Sequence, residues 1–555
     1  MIQKEKYKVR IIIVFLCFCF LFSVIVVRLF LIQIRQTTFF KNLAQQQHEL
    51  SVTIHPPRAV IYDRYGKPLV FNKEDISAFI LPRQLEQREA TERFLKQEYP
   101  EVYARLKAHP EKYFLWLERR VPQKRCEALE KRGLVDVHFI NEFHRCYPYK
   151  ELAHILGFTN VDSEGIAGVE LLCCKQLSGH AATLRLEKDA RSGAFYFTKH
   201  IEREGKDGEP VTLTIDSTLQ TLAYSELEKT VKEYQALGGA VLVLNPDSGE
   251  IMAMANYPGF DPNAKVASLD VTKNIIVTEI FELGSVIKAL CALAALEEGV
   301  VTPDEKIDCE GPVAYIDGLR VENVTNVLLN ALRENNNILA FHDVIKYSCN
   351  VGVVKVVRRL GTKFYDHLRR IGFGSKTGVQ FPGERVGFVN SPEHWSRSSL
   401  MVMSFGYEMM ASLLQLGRAF SVIANGGYLV DPCLIIAGQQ PKVSHRLYKP
   451  ATIATMKDIL QQIGQKYGVK GCRVMGKTGT ARCVKDGRYS KTAHNYTFAG
   501  IVEKDGYRRV VITFIREPAK AQLWASEVAA PLFHRVAEKM VIHDTMHDRV
   551  GGTDL

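Results

Sequence analysis

Three short groups of residues follow one another along the chain: Ser285-Val-Ile-Lys288, Ser348-Cys-Asn350 and Lys477-Thr-Gly-Thr480. Between them they hold a hydroxyl nucleophile, two amines, a second hydroxyl and a carboxamide, a set suited to acyl transfer through a serine ester. Ser285 follows Gly284 and precedes an apolar run, Val286 to Leu296, that ends at Glu297-Glu-Gly299. That pattern predicts a helix start, whose backbone N–H groups can bind an oxyanion. Lys288 is three residues on, so it shares a helix face with Ser285. It is the only charge between Glu282 and Glu297. Apolar surroundings lower a lysine's pKa, and the neutral amine can then take the serine proton.

The second group follows a helix-like segment, Ala340 to Tyr347. From a turn, Ser348 can relay a proton while Asn350 holds a substrate amide. In the third group Lys477 offers a charge to a substrate carboxylate, and Gly479 lets a substrate backbone approach a strand edge. Taken singly, each group has a plainer explanation: a capping serine, a snorkelling lysine, a polar turn. Context separates Lys477-Thr-Gly479 from a second match, Lys376-Thr-Gly378. The latter runs into Val-Gln-Phe-Pro-Gly-Glu-Arg, a loop signature, and is read as structural. Residues 474–480 are strand-like instead.

These groups need a scaffold. Residues 211–216 read as a strand leading into a helix from Thr218 to about Tyr234. Residues 239–245 and 250–255 read as strands joined at Pro246-Asp-Ser-Gly249, a hairpin turn. Helical stretches run from Ser285 to about Ala424, strands return at 496–502 and 509–515, and a helix from about Ser526 to Met540 closes the region. Strands at both ends with helices between predict an α+β fold, one antiparallel sheet with an inserted helical layer. Upstream, His55-Pro-Pro-Arg58 reads as a connector and residues 59–70 as strand, turn, strand. Residues 86–132 have helical spacing, and 165–205 read as loop-rich.

The N-terminus is distinct. Ile11 to Val27 is apolar apart from Ser23, and Leu29 to Leu31 extend it past Arg28. That length suits a bilayer core, which needs about 20 residues. Lys4, Lys6, Lys8 and Arg10 precede it, which places that end in the cytoplasm. No small-residue cleavage site follows, so a retained anchor is expected rather than a signal peptide. The expected layout is a cytoplasmic tail 1–10, an anchor 11–31, a non-catalytic module 32–205, a catalytic domain 206–541 and a tail 542–555. The chain of 555 residues carries a net charge of +11 without Cys/His finger spacing or basic repeats, so nucleic acid is not an expected partner. Its twelve cysteines form no C-x-x-C pair and read mostly as buried thiols, with Cys349 beside the cleft.

S-x-x-K, a Ser-x-Asn element and K-T-G are the signature of penicillin-binding proteins and class A β-lactamases. The sequence resembles a class B penicillin-binding protein, most closely the cell-division transpeptidase family, FtsI. Arg58-Ala-Val-Ile-Tyr-Asp-Arg-Tyr-Gly66, Arg145-Cys-Tyr-Pro148, His154-Ile-Leu-Gly-Phe-Thr159 and Gly168-Val-Glu170 resemble its non-catalytic pedestal. Leu213-Thr-Ile-Asp216, Asn256-Tyr-Pro258, Asp261-Pro-Asn263, Phe281-Glu-Leu-Gly-Ser285, Ser348-Cys-Asn-Val-Gly352, Ser404-Phe-Gly-Tyr407 and Lys477-Thr-Gly-Thr480 resemble its penicillin-binding domain, a serine β-lactamase-like fold.

The resemblance implies that Ser285 attacks the penultimate D-alanine carbonyl of a peptidoglycan stem peptide and Lys288 accepts its proton. Ser348 would pass a proton to the departing D-alanine, and Asn350 would position the peptide. Lys477 and Thr478 would hold the terminal carboxylate, with the N–H groups of Ser285 and Thr480 as oxyanion hole. An amine of a second stem peptide then takes the acyl group, and β-lactams block the serine. It implies no metal and no cofactor. Lacking a glycan-polymerising module, the chain would depend on a glycosyltransferase among divisome membrane partners. Lys273 to Glu282 resembles the division branch rather than the elongation branch. Leu283, Cys349, Glu408 and Ser412-Leu413 depart from the family's usual residues. A carboxypeptidase shares the motifs, a β-lactamase would be smaller and soluble, and a penicillin-sensing receptor or a divisome scaffold are further alternatives.

Overall fold

Gly238–Leu244 is buried at every position, and alternate residues serve different cores. Ala240, Leu242 and Leu244 join one apolar cluster, while Val241 and Val243 join another. A strand with side chains of period two does this only if both sheet faces are covered. The computed structural model describes residues 2–40, 49–54, 56–112, 114–188, 195–266, 268–436, 443–520 and 523–551.

The catalytic region is built from α1 (Ser217–Tyr234), β1 (Gly238–Leu244), β2 (Ile251–Tyr257), α2 (Lys288–Glu297), α3 (Asn350–Leu360), α4 (Leu413–Ala424), β3 (Arg473–Lys485), β4 (Arg488–Lys504), β5 (Tyr507–Arg516) and α5 (Ala529–Gly551). The five strands pair antiparallel in the order β2-β1-β5-β4-β3. On one face lie α2, α3 and α4, whose Leu293, Val354 and Phe420 share a cluster with Leu242. On the other face lie α1 and α5, whose Leu227 and Phe533 share a cluster with Val243. The expected α+β sheet is therefore present, and helices cover both faces. Asp216 caps α1, its carboxylate accepting from Thr218 N and Leu219 N. The order leaves β3 at an edge, so the Lys477 to Thr480 segment has one side without a strand neighbour in the sheet.

Residues 58–177 pack in the same compact unit as the catalytic region. Ile61–Tyr62 pairs in parallel with Val211–Thr212, which joins the two parts through backbone hydrogen bonds. Arg58 and Arg145 both meet the fully buried Glu170, with Nε···O distances of 2.6 and 2.8 Å. Removing one partner of such a group leaves an unpaired buried charge, at a cost of about 3–5 kcal/mol. Asn263 bonds both N and O of Tyr147, a second tie across the same junction. The remaining unit, residues 1–57 and 178–208, holds the N-terminal helix Ile2–Phe30 and a three-stranded antiparallel sheet. Lys8–Arg35, 28 residues, is apolar and long enough to cross a membrane.

Three local expectations differ from the structure. Within 86–132 the helices Arg88–Glu98, Pro100–Ala108 and Gln123–Lys131 are interrupted by a strand, Leu115–Val121. That strand pairs with Pro68–Ile80, a contact that overrides its helical spacing. The loop-rich stretch 165–205 also contains the strands Ala182–Lys188 and Phe195–Arg203. The closing helix runs to Gly551 instead of ending at Met540, held by the His543–Asp216 pair at 2.6 Å and by Asp544 on Tyr507 and Arg509. The last four residues of the expected tail lie outside the described residues.

His154 gives a stability prediction. It is 5% exposed, bonds Val271 O through Nε2 at 3.1 Å, and packs edge-on against Phe260. Burial pushes its pKa down to about 4. The unfolded chain, near 6.5, binds the proton first, so stability is full above about 6.5 and falls as pH drops toward 4. Between pH 7 and 5 this group should cost about 2 kcal/mol. His154→Gln should remove that part of the pH dependence in urea titrations, and an unchanged difference between the two pH values would refute it.

Candidate active site

Ser285 stands in a 3-10 turn, Gly284–Ile287, one turn before α2 begins at Lys288. The turn lies against the β3 edge at van der Waals distance, and two glycines make that possible. Gly284 has φ +56°, and a Cβ there would sit 2.6 Å from Thr480 O. A Cβ on Gly479 would sit 2.8 Å from Leu283 O and 3.0 Å from the Val286 Cβ. The side chain that Gly479 lacks therefore leaves room for the chain's own nucleophile turn. Gly406, at φ +91°, also lies against Gly284: a Cβ there would sit 2.3 Å from Gly284 O. Gly479→Ala should displace that turn, cost about 1–3 kcal/mol of stability, and slow penicillin acylation at least ~10-fold. Stopped-flow acylation and thermal unfolding check it; a variant acylating like wild type would show that the turn relaxes freely.

The three groups found in the sequence converge. Lys288, fully buried, donates from Nζ to Ser348 O at 2.7 Å, Ser348 Oγ at 3.1 Å and Asn350 Oδ1. Lys477, 1% exposed, donates to the same Ser348 Oγ at 3.2 Å and to Thr478 O at 3.1 Å. The Ser348 hydroxyl thus lies between two amines. It is held there by a left-handed backbone, φ +62°, which a serine adopts only when its surroundings impose it. Asn350 donates from Nδ2 to Glu322 O at 2.7 Å, leaving its second amide hydrogen for a ligand. Thr478 and Thr480 alternate with Lys477 and Gly479 along β3, in register with Phe498 and Tyr496 of β4. Ser285 is half-buried, and its Oγ has no hydrogen-bond partner among the described residues.

Burial lowers Lys288 to about 8 and outweighs the nearby thiols Cys349 and Cys291, which raise it. Lys477 is pushed well below the usual lysine range, by burial first and by the charge of Lys288 second. Two amines this close cannot both be charged without cost, so the pair titrates as a unit. An amine of lowered pKa, hydrogen-bonded to the Ser348 hydroxyl one helical turn from Ser285, is equipment suited to base-assisted attack on a carbonyl.

Other expectations resolve as follows. Lys376-Thr-Gly378 belongs to a loop in which Glu384 accepts from Thr377 N at 2.6 Å and Thr377 Oγ1 at 2.7 Å. Cys349 does not face the cleft. It is fully buried and caps α3, its Sγ accepting from Gly352 N at 3.3 Å. Sequence reading gave no role to Tyr489, whose hydroxyl donates to Glu282 at 2.8 Å and whose ring meets Tyr407 edge-on. Nor did it pair Arg482 with Tyr407, whose hydroxyl accepts Arg482 N–H at 3.3 Å. These contacts join segments more than seventy residues apart, beyond any local pattern. Among the described residues Asp216, His543 and Asp544 could group around a metal, but each is already engaged at the end of α5.

Residues 239–538 match the penicillin binding protein transpeptidase domain, and 53–213 match the penicillin-binding protein dimerisation domain. The chain belongs to the penicillin-binding protein transpeptidase family. It is a serine acyltransferase of the peptidoglycan D,D-transpeptidase type. It is 30% identical to a protein of Pseudomonas aeruginosa named probable peptidoglycan D,D-transpeptidase PbpC, over 91% of this chain and 90% of that one. It is 29% identical to peptidoglycan D,D-transpeptidase FtsI of Escherichia coli, over 86% of this chain and 82% of that one. The fold is similar to that of penicillin binding protein 3 from Mycobacterium tuberculosis, crystallised with aztreonam: TM-score 0.67 and 23% identity, covering 89% of this chain and 97% of that one.

Proposed function

We propose that this chain cross-links peptidoglycan stem peptides during cell division through an ester on Ser285. Neutral Lys288 takes the Ser285 proton as Oγ attacks the penultimate D-alanine carbonyl. The N–H groups of Ser285 and Thr480 receive the oxyanion. Ser348 passes a proton to the departing D-alanine, while the free amide hydrogen of Asn350 holds the peptide. Lys477 and Thr478 take the terminal carboxylate, and Gly479 keeps β3 close to the nucleophile turn. A second stem peptide's amine then displaces Ser285, and its proton returns through the same relay. β-Lactams present a carboxylate and a strained amide to the same groups. The observation that carries this reading is the convergence of Lys288 and Lys477 on one Ser348 hydroxyl beside the Ser285 turn.

The division assignment is supported by the likeness to FtsI and by the segment before the nucleophile. The basic residues ahead of the N-terminal helix support a cytoplasmic N-terminus with the catalytic domain outside. A single span can pack against partner helices, including those of a glycan polymerase. Depletion should block septation while cells continue to enlarge, and a tagged copy should gather at division sites. Uniform membrane distribution with normal septation would overturn the assignment.

A further inference from the structure

The turn carrying Ser348 and Asn350 is strained, and its own sequence does not account for its shape. Helix α3 begins at Asn350, and the first N–H groups of a helix have no partner within it. Cys349 Sγ takes one of them, from Gly352. Two others are taken from a distance. Asn323 follows the hairpin formed by Val313–Ile316 and Leu319–Glu322, and it is 5% exposed. Its Oδ1 accepts from Asn350 N at 3.0 Å, Val351 N at 3.3 Å and the Cys349 thiol at 3.4 Å. Its Nδ2 donates to Gly311 O at 2.7 Å and Cys309 O at 3.4 Å. The oxygen of this carboxamide therefore holds three groups at the helix start, and its nitrogen holds two on the hairpin base.

The adjacent residue completes the arrangement. Glu322 O accepts from Asn350 Nδ2, which turns Oδ1 of Asn350 toward Lys288 Nζ. Had the amide been reversed, Lys288 would face a donor, and the Ser348 turn would lose its second anchor. We infer that Asn323 is a positioning residue for acylation: it clamps the Ser348–Asn350 turn to the hairpin, and so fixes the acceptors around the Lys288 amine and the Asn350 hydrogen offered to substrate. It touches neither substrate nor Ser285, and acts through Asn350. This inference rests on the proposed acylation of Ser285.

The test uses the full-length protein in detergent with penicillin, measuring the second-order acylation rate from pH 6 to 10. Asn323→Leu keeps the volume and removes all five side-chain bonds. It should lower that rate about 100-fold, more than any loss of folded fraction. It should also move the rising limb of the pH profile to lower pH, because the Lys288 ammonium loses a fixed acceptor. Asn323→Asp keeps an acceptor for the two helix N–H groups, where a carboxylate is favoured, and should recover at least about 10-fold over the leucine variant. An Asn323→Leu protein with wild-type rate and profile would overturn the inference. So would a loss that only follows the unfolded fraction, or an aspartate variant as slow as a folded leucine variant. If the leucine variant does not fold, an aspartate variant that folds but acylates with the wild-type profile and rate supports the acceptor role, and one slowed 100-fold overturns it. Absence of wild-type acylation would overturn the function reading itself, and this inference with it.

Discussion

Ser285→Ala is expected to leave a folded protein that forms no covalent adduct with penicillin. Ser285 is a half-buried residue in the 3-10 turn, and alanine, smaller by one oxygen, suits both the turn and the space. The loss should approach about six orders of magnitude, as when the nucleophile of a serine hydrolase is removed. Intact-mass spectrometry should show one added penicillin on wild type and none on the variant. Peptide mapping should place the adduct on the peptide containing Ser285. Labelling that survives the substitution, or that maps to Ser348, would assign the nucleophile elsewhere. Ser348 is the informative rival, because its hydroxyl already lies between two amines.

Lys288→Arg is expected to slow acylation by about 10²–10⁴-fold, the range for loss of a general base. Arginine retains charge and donors but does not deprotonate in proteins. In wild type the base is active when neutral, and burial holds Lys288 near 8. The acylation rate should therefore rise about tenfold per pH unit below 8 and level off above it. The arginine variant should be slow and lack that limb. Since the wild-type site is fully buried, thermal unfolding must be followed alongside to separate lost base from lost fold. A variant with near-normal rate and the same rising limb would place the base elsewhere, with Lys477 the first alternative.

What was readable from the sequence was whatever depends on neighbours along the chain. Ser285 and Lys288 are three apart, so the helix start and the shared face follow from local geometry. The strands around Pro246-Asp-Ser-Gly249 and at 496–502 and 509–515 follow from apolar runs between turn residues, and each appears where expected. The apolar segment from Ile11 is equally local, because the length of a span is set by the bilayer and not by the fold. Residues 115–121 and 182–188 escaped because short strands take their identity from partners, here Pro68–Ile80 and Glu49–Ile54. The tertiary structure alone decided the properties on which the chemistry depends. Two lysines 189 positions apart meet at one hydroxyl, and their burial lowers both pKa values, which no local sequence pattern encodes. It also decided that Cys349 points inward, and that Gly479 and Gly284 are small for the sake of their own backbone contacts. Contacts of that kind come from packing across the sheet edge, whose close approach depends on residues brought together by the whole fold.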